Sequence, residues 1–369
     1  MLEMTHVPIE GIEVAAYEIP TDEPESDGTL AWDSTGMVLV ELSAGGKTGL
    51  GYTYGSPACA ALIESKLADV VEGRNVMATR ECWLAMVESI RNLGRPGICS
   101  MAIAAVDIAL WDLKARLLEL PLVTLLGGVR SSVPVYGSGG FTSYSETRLR
   151  EQLAGWVTSG IPRVKMKIGR YPHDDLARIR AAREAIGPET ELYVDANGAY
   201  SRKQALARAE AFHEYGVSWY EEPVSSDDLA GLRLLRNRVP GGIEISAGEY
   251  GYDLTYFRHM LEAEAVDVMQ ADATRCAGIT GFLDVAALCD AYHVPLSSHT
   301  APALHMHPGC CASQVRHLEY FHDHARIEAM LFDGIVGPVN GALQPNLARP
   351  GLGLTLKREE AERYRPRAE

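Results

Sequence analysis

The chain has 369 residues, of which 47% are hydrophobic and 22% charged, and its formal net charge at pH 7 is −15. That charge argues against a nucleic acid partner, because proteins that bind a phosphate backbone carry basic patches. There is no basic-then-apolar signal at the start and no uninterrupted apolar stretch of roughly 18 residues, so we expect a cytoplasmic protein without a membrane partner. The seven cysteines contain no CxxC pair and fit reduced, mostly buried thiols.

The N-terminal third predicts an α+β domain. We expect strands over residues 12–19, 36–42 and 49–54, and helices over 57–71, 79–93 and 100–118. Residues 20–35 predict a mobile loop that carries five acids, namely Asp22, Glu23, Glu25, Asp27 and Asp33. A Leu126-Gly127-Gly128 break ends this region, so residues 1–128 are interpreted as a capping domain.

Beyond residue 128, side chains suited to acid–base chemistry or metal binding recur at the spacing of one strand-plus-helix unit. They are Lys167, Asp195, Glu221, Glu249, Asp272, His299 and Glu328. Most of them close a short apolar, β-rich run and precede a helical pattern. This predicts a TIM-type (β/α) barrel of seven or eight units over residues 129–336, with chemistry at the C-terminal strand ends. The tail, 337–369, is predicted to pack back on the capping domain.

Three of these residues predict a metal site. Asp195, Glu221 and Glu249 end consecutive strands and bring three carboxylates to one point. Hard oxygen ligands in that number suit Mg²⁺. Zinc is disfavoured because no His or Cys belongs to the cluster.

Candidate bases lie on either side of the predicted metal. Lys165 and Lys167 alternate on one strand and face the site together, and their repulsion beside a cation is expected to lower the lysine pKa. Opposite them, Asp272 is placed to orient His299 and stabilise its imidazolium form. Glu328, assigned to the end of the eighth strand, is interpreted as a donor to a substrate carboxylate when protonated.

Two bases facing each other across a metal favour removal of a proton next to a carboxylate. The enediolate that forms carries two negative charges, which Mg²⁺ and Lys165 would neutralise as they develop. Sites with a Lys or His base and Mg²⁺ on such an enediolate are known.

Several motifs together make the chain similar to the enolase superfamily, and within it to the mandelate racemase subgroup, over almost the whole length. They are residues 104–114, Leu125-Leu126-Gly127-Gly128, Lys165-Met166-Lys167, Asp195-Ala196-Asn197, Glu221-Glu222-Pro223, Ala247-Gly248-Glu249, Gln270-Ala271-Asp272 and Ser297-Ser298-His299, with Glu328. The His–Asp dyad separates the chain from the muconate-lactonising and dipeptide-epimerase relatives.

The resemblance implies a role for each residue of the predicted site. Lys167 would be the base for one face of the substrate and His299, supported by Asp272, the base for the other. Lys165 and Glu328 would contact the substrate carboxylate, and Asn197 would lie near the α-substituent. It also implies a symmetric homo-oligomer.

The substrate is therefore expected to be a small carboxylate. Dehydration of a sugar acid to a 2-keto-3-deoxy acid is favoured, and the alternative is racemisation or epimerisation of a 2-hydroxy acid or an amino-acid-like carboxylate by the same two bases. The acids between residues 22 and 33 leave open a cationic substrate. A barrel that only binds would have lost a ligand or a base, and none is lost here. Substrate identity and stereochemistry stay open.

Overall fold

A computed structural model describes residues 6–366 and begins with a three-stranded antiparallel sheet. Its strands pair in the order β1-β2-β3 and are β1 (Gly11–Ser26), β2 (Ala31–Ala44) and β3 (Lys47–Tyr54). Helical segments follow: α1 (Ala58–Leu62), a π-turn (Ile63–Leu67), α2 (Ala68–Val71), a 3₁₀ turn (Val76–Ala78), α3 (Thr79–Ser89), α4 (Ile98–Leu117) and α5 (Leu122–Leu125). The expected antiparallel sheet with helices is confirmed.

Close contact between β3 and α4 holds this region together. A Cβ atom built on Gly51 would lie 2.1 Å from the Ala105 carbonyl oxygen, so only glycine lets the strand approach the helix this closely. Ala105, Ala109 and Leu113 of α4, which the glycines of β3 approach, are fully buried. A separate apolar cluster of the sheet and these helices results.

Eight parallel strands close into a barrel, as the sequence predicts. The strands are β4 (Val133–Gly139), β5 (Arg163–Lys167), β6 (Glu191–Asp195), β7 (Val217–Glu221), β8 (Glu244–Ala247), β9 (Val268–Ala271), β10 (Leu296–Ser298) and β11 (Val315–Phe321). Pairing of β11 with β4 closes the ring. The surrounding helices are α6 (Glu146–Thr158), α7 (Asp175–Ile186), α8 (Arg202–His213), α9 (Leu229–Arg236), α10 (Leu254–Glu262), α11 (Gly278–Ala291), α12 (Pro302–Cys311) and α13 (His322–Leu331).

The C-terminal segment contacts both the barrel and the N-terminal region. It contains β12 (Phe332–Asp333), β13 (Ala342–Leu343), β14 (Thr355–Leu356), α14 (Arg358–Ala361) and a 3₁₀ turn (Glu362–Tyr364). β13 pairs with barrel strand β4, and β12 pairs with β14. On the other side, the Arg358 guanidinium lies 2.7 Å from the Glu41 carboxylate of β2.

The acidic segment 20–35 is a β-hairpin, so the prediction of a loop here was wrong. β1 and β2 continue past a bulge between Pro20 and Glu25 and end in a tight turn. Asp27 Oδ1 accepts the Thr29 and Leu30 N–H groups at 2.6 and 2.7 Å, which closes the turn as an Asx motif. The acidic composition suggested a segment exposed to solvent, but the hairpin packs against the barrel.

The cysteines form no disulfide bond in the part of the chain that the structure describes. All seven cysteines are free; six are buried and Cys311 is half-buried, which agrees with the expected reduced thiols.

Across the described residues, the helices are either too short or too polar to cross a bilayer.

Asp112 joins three segments and gives a test of the fold. Its buried carboxylate accepts the N–H groups of Leu50 at 2.7 Å and Leu352 at 2.6 Å, and Arg116 Nε lies 2.6 Å away. We expect Asp112→Ala to lower stability by about 3 kcal/mol, because two N–H groups and a guanidinium lose a buried partner. Thermal unfolding should show a clear decrease in Tm, whereas the exposed Asp69→Ala should change it little. Equal Tm values for the two variants would contradict the role of Asp112.

Candidate active site

The strand ends bring six of the seven predicted ring residues together. Lys167, Asp195 and Glu221 are the last residues of β5, β6 and β7. Glu249 lies two residues beyond β8, and Asp272 and His299 directly follow β9 and β10. Parallel strands in a closed barrel place all these ends on one rim, so the residues converge although they are far apart in sequence.

Three of the converging carboxylates could hold a metal ion. Asp195, Glu221 and Glu249 each offer an oxygen within 4.8 Å of the others, and all three side chains are buried. Glu249 Oε2 has no hydrogen-bond partner. Burial and the neighbouring Asp195 raise the pKa of Glu221 well above its usual range. Carboxylates crowded and desolvated in this way favour a bound cation, so the donor set fits the predicted Mg²⁺.

The two lysines neutralise part of this charge. Lys165 is fully buried, with its Nζ 2.5 Å from Glu221 Oε1 and 2.8 Å from Glu319 Oε1. Lys167 Nζ lies 2.5 Å from Asp195 Oδ2. Burial disfavours the charged amines, but the carboxylates outweigh it and raise the pKa of both lysines above the usual range. The mutual repulsion of the two amines is outweighed in this arrangement, because each amine has a closer carboxylate partner. The lowering of the lysine pKa beside a bound cation stays a prediction.

On the opposite side, His299 and Asp272 form the expected pair. His299 Nδ1 lies 2.8 Å from Asp272 Oδ2, and the backbone N–H of Thr274 donates to Asp272 Oδ1 at 2.7 Å. Burial alone would raise the pKa of Asp272, but the hydrogen bond and charge of His299 hold it below its usual range. The other ring nitrogen, Nε2, is 3.5 Å from Glu249 Oε2, so the imidazole reaches the edge of the carboxylate cluster.

Glu328 does not lie where the sequence analysis placed it. It belongs to α13, one helix beyond the eighth strand. Its carboxyl group accepts hydrogen bonds from the Tyr52 hydroxyl at 2.7 Å and the Ala303 N–H at 3.0 Å, and it does not line the pocket. Burial raises the pKa of Glu328 to about 8. This shift favours the expected protonated form, but the group joins β3 to the barrel instead of facing a substrate.

Glu319 is the acid that the eighth strand contributes to the site, and the sequence analysis missed it. Besides Lys165, its carboxylate accepts the Ser138 hydroxyl at 2.6 Å and the Thr300 N–H at 2.8 Å. Burial would raise the pKa of Glu319, but Lys165 holds it below the usual range. The alternation of β11, which turns His317, Glu319 and Phe321 to one side, was the signal that could have found it.

One pocket opens onto these groups. Its volume is about 330 Å³. The lining residues are Asp27, Leu30, Trp32, Ser34, Thr35, Gly36, Tyr54, Gly55, Lys167, Asn197, Glu249, Tyr250, Asp272, Arg275, His299, Thr300, Phe321 and His324. Asn197 has a left-handed backbone, φ 46°, and its buried Oδ1 lacks a partner. Lys165, Asp195 and Glu221 lie beneath this lining.

The β1–β2 hairpin forms the outer wall of the pocket. The tip is packed so tightly that a Cβ on Gly28 would lie 2.2 Å from the Ala196 carbonyl oxygen beyond β6. The Thr142 N–H donates to the Ser26 carbonyl at 2.8 Å, and Arg326 Nη2 donates to the Pro20 carbonyl at 2.7 Å. Of the five hairpin acids, only Asp27 lines the pocket.

Two family models match the chain. Residues 11–127 match the N-terminal domain of the mandelate racemase/muconate lactonizing enzyme family, and residues 148–361 match the enolase C-terminal domain-like family. The chain belongs to the mandelate racemase/muconate lactonizing enzyme family of the enolase superfamily.

Similar proteins of this family have several activities. A 3,6-anhydro-α-L-galactonate cycloisomerase from Streptomyces coelicolor is 32% identical, over 96% of this chain and 99% of the relative. An L-talarate/galactarate dehydratase from Salmonella typhimurium, which is a hydro-lyase, is 31% identical over 96% of this chain and 90% of the relative.

Two solved structures share the fold throughout. A mandelate racemase/muconate lactonizing enzyme-like protein from Rubrobacter xylanophilus is 57% identical, covers 97% of this chain and 100% of its own, and has a TM-score of 0.96. A racemase from Streptomyces coelicolor with bound magnesium is 30% identical, covers 97% and 100%, and has a TM-score of 0.91.

Removal of one acid should weaken metal binding. Glu249→Gln neutralises a member of the carboxylate cluster, and the Glu249 Oε2 atom has no hydrogen-bond partner in the protein that the substitution would remove. We expect the Kd for Mg²⁺, measured by calorimetry, to rise at least about tenfold. Asp174→Asn removes the same charge from an exposed position and should leave the Kd unchanged. An unchanged Kd in Glu249→Gln would exclude this acid as a ligand.

The pKa of Glu328 predicts how its contribution to stability varies with pH. The folded chain keeps the proton up to about pH 8, whereas the carboxyl of an unfolded chain titrates near its ordinary 4.5. Between these values the folded state binds more protons, so this contribution falls as pH rises through that window. The Tm of wild type minus that of Glu328→Gln should therefore decrease from pH 5 to pH 8, and Glu210→Gln on an exposed helix face should show no such trend. A difference independent of pH would show that Glu328 is not protonated.

Proposed function

We propose that this protein removes the α-proton of a sugar-acid carboxylate and expels the β-oxygen, giving a 2-keto-3-deoxy acid. One observation carries the proposal: Lys167 and the His299–Asp272 pair line the same pocket and contact opposite ends of one carboxylate cluster. Lys167 contacts it through Asp195, and His299 approaches it at Glu249. A substrate held over the cluster would have a base on each face.

The elimination needs two proton transfers at the substrate. A base takes the α-proton, and the electrons of that C–H bond pass into the carboxylate as an enediolate. The imidazolium of His299 then donates a proton to the β-hydroxyl, which leaves as water. The resulting enol becomes the keto acid when its hydroxyl loses a proton and the β-carbon gains one from solvent. Asp272 supports this role because it stabilises the imidazolium and fixes the ring orientation.

The carboxylates Asp195, Glu221 and Glu249 are proposed to hold Mg²⁺. When bound, the ion would place positive charge beside the enediolate oxygens and lower the pKa of Lys167 by competing for the same carboxylates. Lys165 is proposed to add a second positive charge below the substrate carboxylate, and Asn197 to contact the α-substituent. Fixed charges of this kind need no reorganisation during the reaction.

The same site supports a related second reaction. If the β-oxygen belongs to a ring, its expulsion opens the ring and the product is an isomer of the substrate. The 32% identity to a cycloisomerase of an anhydro sugar acid favours this candidate. Return of a proton from the second base to the opposite face would instead give an epimer, and the presence of two bases in one pocket permits it.

Proton NMR of a sugar-acid and hydroxy-acid panel with enzyme and Mg²⁺ in D₂O separates these outcomes. A 2-keto-3-deoxy product with loss of one water indicates dehydration, and the same type of product without loss of water indicates ring opening. Deuterium at Cα with an intact skeleton and two growing stereoisomers indicates epimerisation. Absence of exchange with every sugar acid and hydroxy acid would overturn the proposal.

Variants of the two bases should separate the proton transfers. With a substrate whose α-proton faces Lys167, His299→Asn should lower the dehydration rate by about 10²–10⁴ and still allow exchange of the α-proton with solvent. Lys167→Ala should abolish that exchange as well as dehydration. Lys203→Ala, at an exposed position, should leave both rates at the wild-type value. Equal loss of exchange in both base variants would show that the two residues do not act on opposite faces.

A further inference from the structure

The charge on the outer wall of the pocket bears on which sugar acids can bind. We define the hairpin wall as Asp27, Leu30, Trp32, Ser34, Thr35 and Gly36, the residues of β1, β2 and their connecting turn that line the pocket. We propose that the substrate is a monocarboxylic sugar acid, whose distal hydroxyl end meets the hairpin wall and donates to Asp27, and that a second, distal carboxylate is rejected. This rests on the proposed function, because the reacting carboxylate is placed at the metal cluster.

Asp27 is built to present one oxygen to the pocket. Its Oδ1 is occupied by the N–H groups of Thr29 and Leu30 that close the hairpin turn. Within the described residues, Oδ2 receives no side-chain or backbone hydrogen bond. This oxygen is not fully buried, so a ligand can reach it. Since Asp27 lines the pocket, this oxygen can accept a hydrogen bond from a substrate hydroxyl and would repel a carboxylate.

The cationic side chains that line the pocket are paired with acids of the candidate active site. Lys167 is paired with Asp195. Arg275 donates to the Glu249 carbonyl at 3.1 Å and lies 3.4 Å from the Glu249 carboxylate and 3.8 Å from Asp272. His299 is bound to Asp272, so none of these charges is free for a second carboxylate.

The part of the lining nearest the hairpin offers no positive charge of its own, as far as the described residues go. The imidazole of His324 stacks on the Tyr54 ring at 3.4 Å, and burial, with the nearby His299, keeps its pKa well below the usual range. It is therefore neutral at physiological pH and suited to a hydroxyl. Arg170 donates to the Leu30 carbonyl at 3.2 Å but does not line the pocket.

Other polar groups on the wall suit a polyol. The hydroxyls of Ser34 and Thr35 are half-buried, and the Thr35 hydroxyl donates to Asp323 at 2.5 Å, which leaves its oxygen free to accept. Trp32 is held by a hydrogen bond of its Nε1 to Glu25 Oε2 at 2.9 Å and packs edge-on against Phe141. The wall thus combines acceptors for hydroxyl groups with a fixed aromatic surface.

Matched pairs of hexonates and hexarates of the same configuration test the proposal with the wild-type enzyme and Mg²⁺. The two members of a pair differ only in whether the distal carbon is a hydroxymethyl or a carboxylate. We expect kcat/KM for the preferred hexonate to exceed that for its hexarate at least about tenfold, because the hexarate brings like charge to Asp27 without a cation to pair it. A hexarate turned over as well as, or better than, its hexonate would overturn the proposal.

The role of Asp27 is tested by Asp27→Asn, which keeps the oxygen that closes the turn. The hexonate-to-hexarate ratio of kcat/KM should fall at least about fivefold in this variant, chiefly through KM. Asp33→Asn removes the same charge from an exposed position on the same hairpin and should leave the ratio within about twofold. Equal ratios in both variants would rule out Asp27 as the determinant, provided that the Tm values match.

Binding measured separately from turnover distinguishes this inference from the proposed function. Calorimetry with the same pairs gives Kd values whether or not a reaction follows. Preferential binding of hexonates with no turnover of any sugar acid would support the inference about the pocket and defeat the proposed reaction. Dehydration with tighter binding of hexarates would support the reaction and overturn the inference.

Discussion

The structure depends on concentrated negative charge at the centre of the barrel rim. Asp195, Glu221 and Glu319 are buried against the amines of Lys165 and Lys167, and the buried Glu249 lies beside Arg275 and His299. Burial of ions is costly unless each is paired, so every side chain in this cluster must be held in place by another. Eight strands that converge on one rim supply that rigidity. The fold therefore tolerates a charge density that a loop could not maintain.

The N-terminal region contributes to the site through close backbone packing and through hydrogen bonds to the barrel. β3 packs on α4 through Gly51, and Tyr52 of the same strand reaches across to Glu328 on α13. The hairpin tip contacts the rim near Ala196 and Thr142. As a result the outer wall of the pocket is positioned by a different part of the chain from the acids and bases. The shape of the outer wall and the positions of the catalytic groups are therefore determined by different parts of the fold.

The barrel and most of its site residues could be predicted from the sequence, because a strand-plus-helix unit has a nearly constant length. That period located Lys167, Asp195 and Glu221 at strand ends, and Glu249, Asp272 and His299 within two residues of them. It failed at Glu328, where spacing was followed in preference to the side-chain alternation of β11, which identifies Glu319. The hairpin was missed for a different reason: its strands are stabilised by docking on the barrel and by the Asx turn at Asp27, and neither is visible in local propensity. The lysine pKa depends on distances to carboxylates on other strands, which no sequence pattern gives.

The tight turn at the hairpin tip has a consequence for how such a protein can diverge. The segment from Pro20 to Thr35 enters and leaves through adjacent, paired strands, so side chains on its pocket-facing side can be exchanged without displacing any barrel strand. Mutations there would remodel one wall of the pocket while the proton-transfer groups stayed in place. Selection could then change the substrate specificity through a short segment of the gene, while the proton-transfer mechanism was retained.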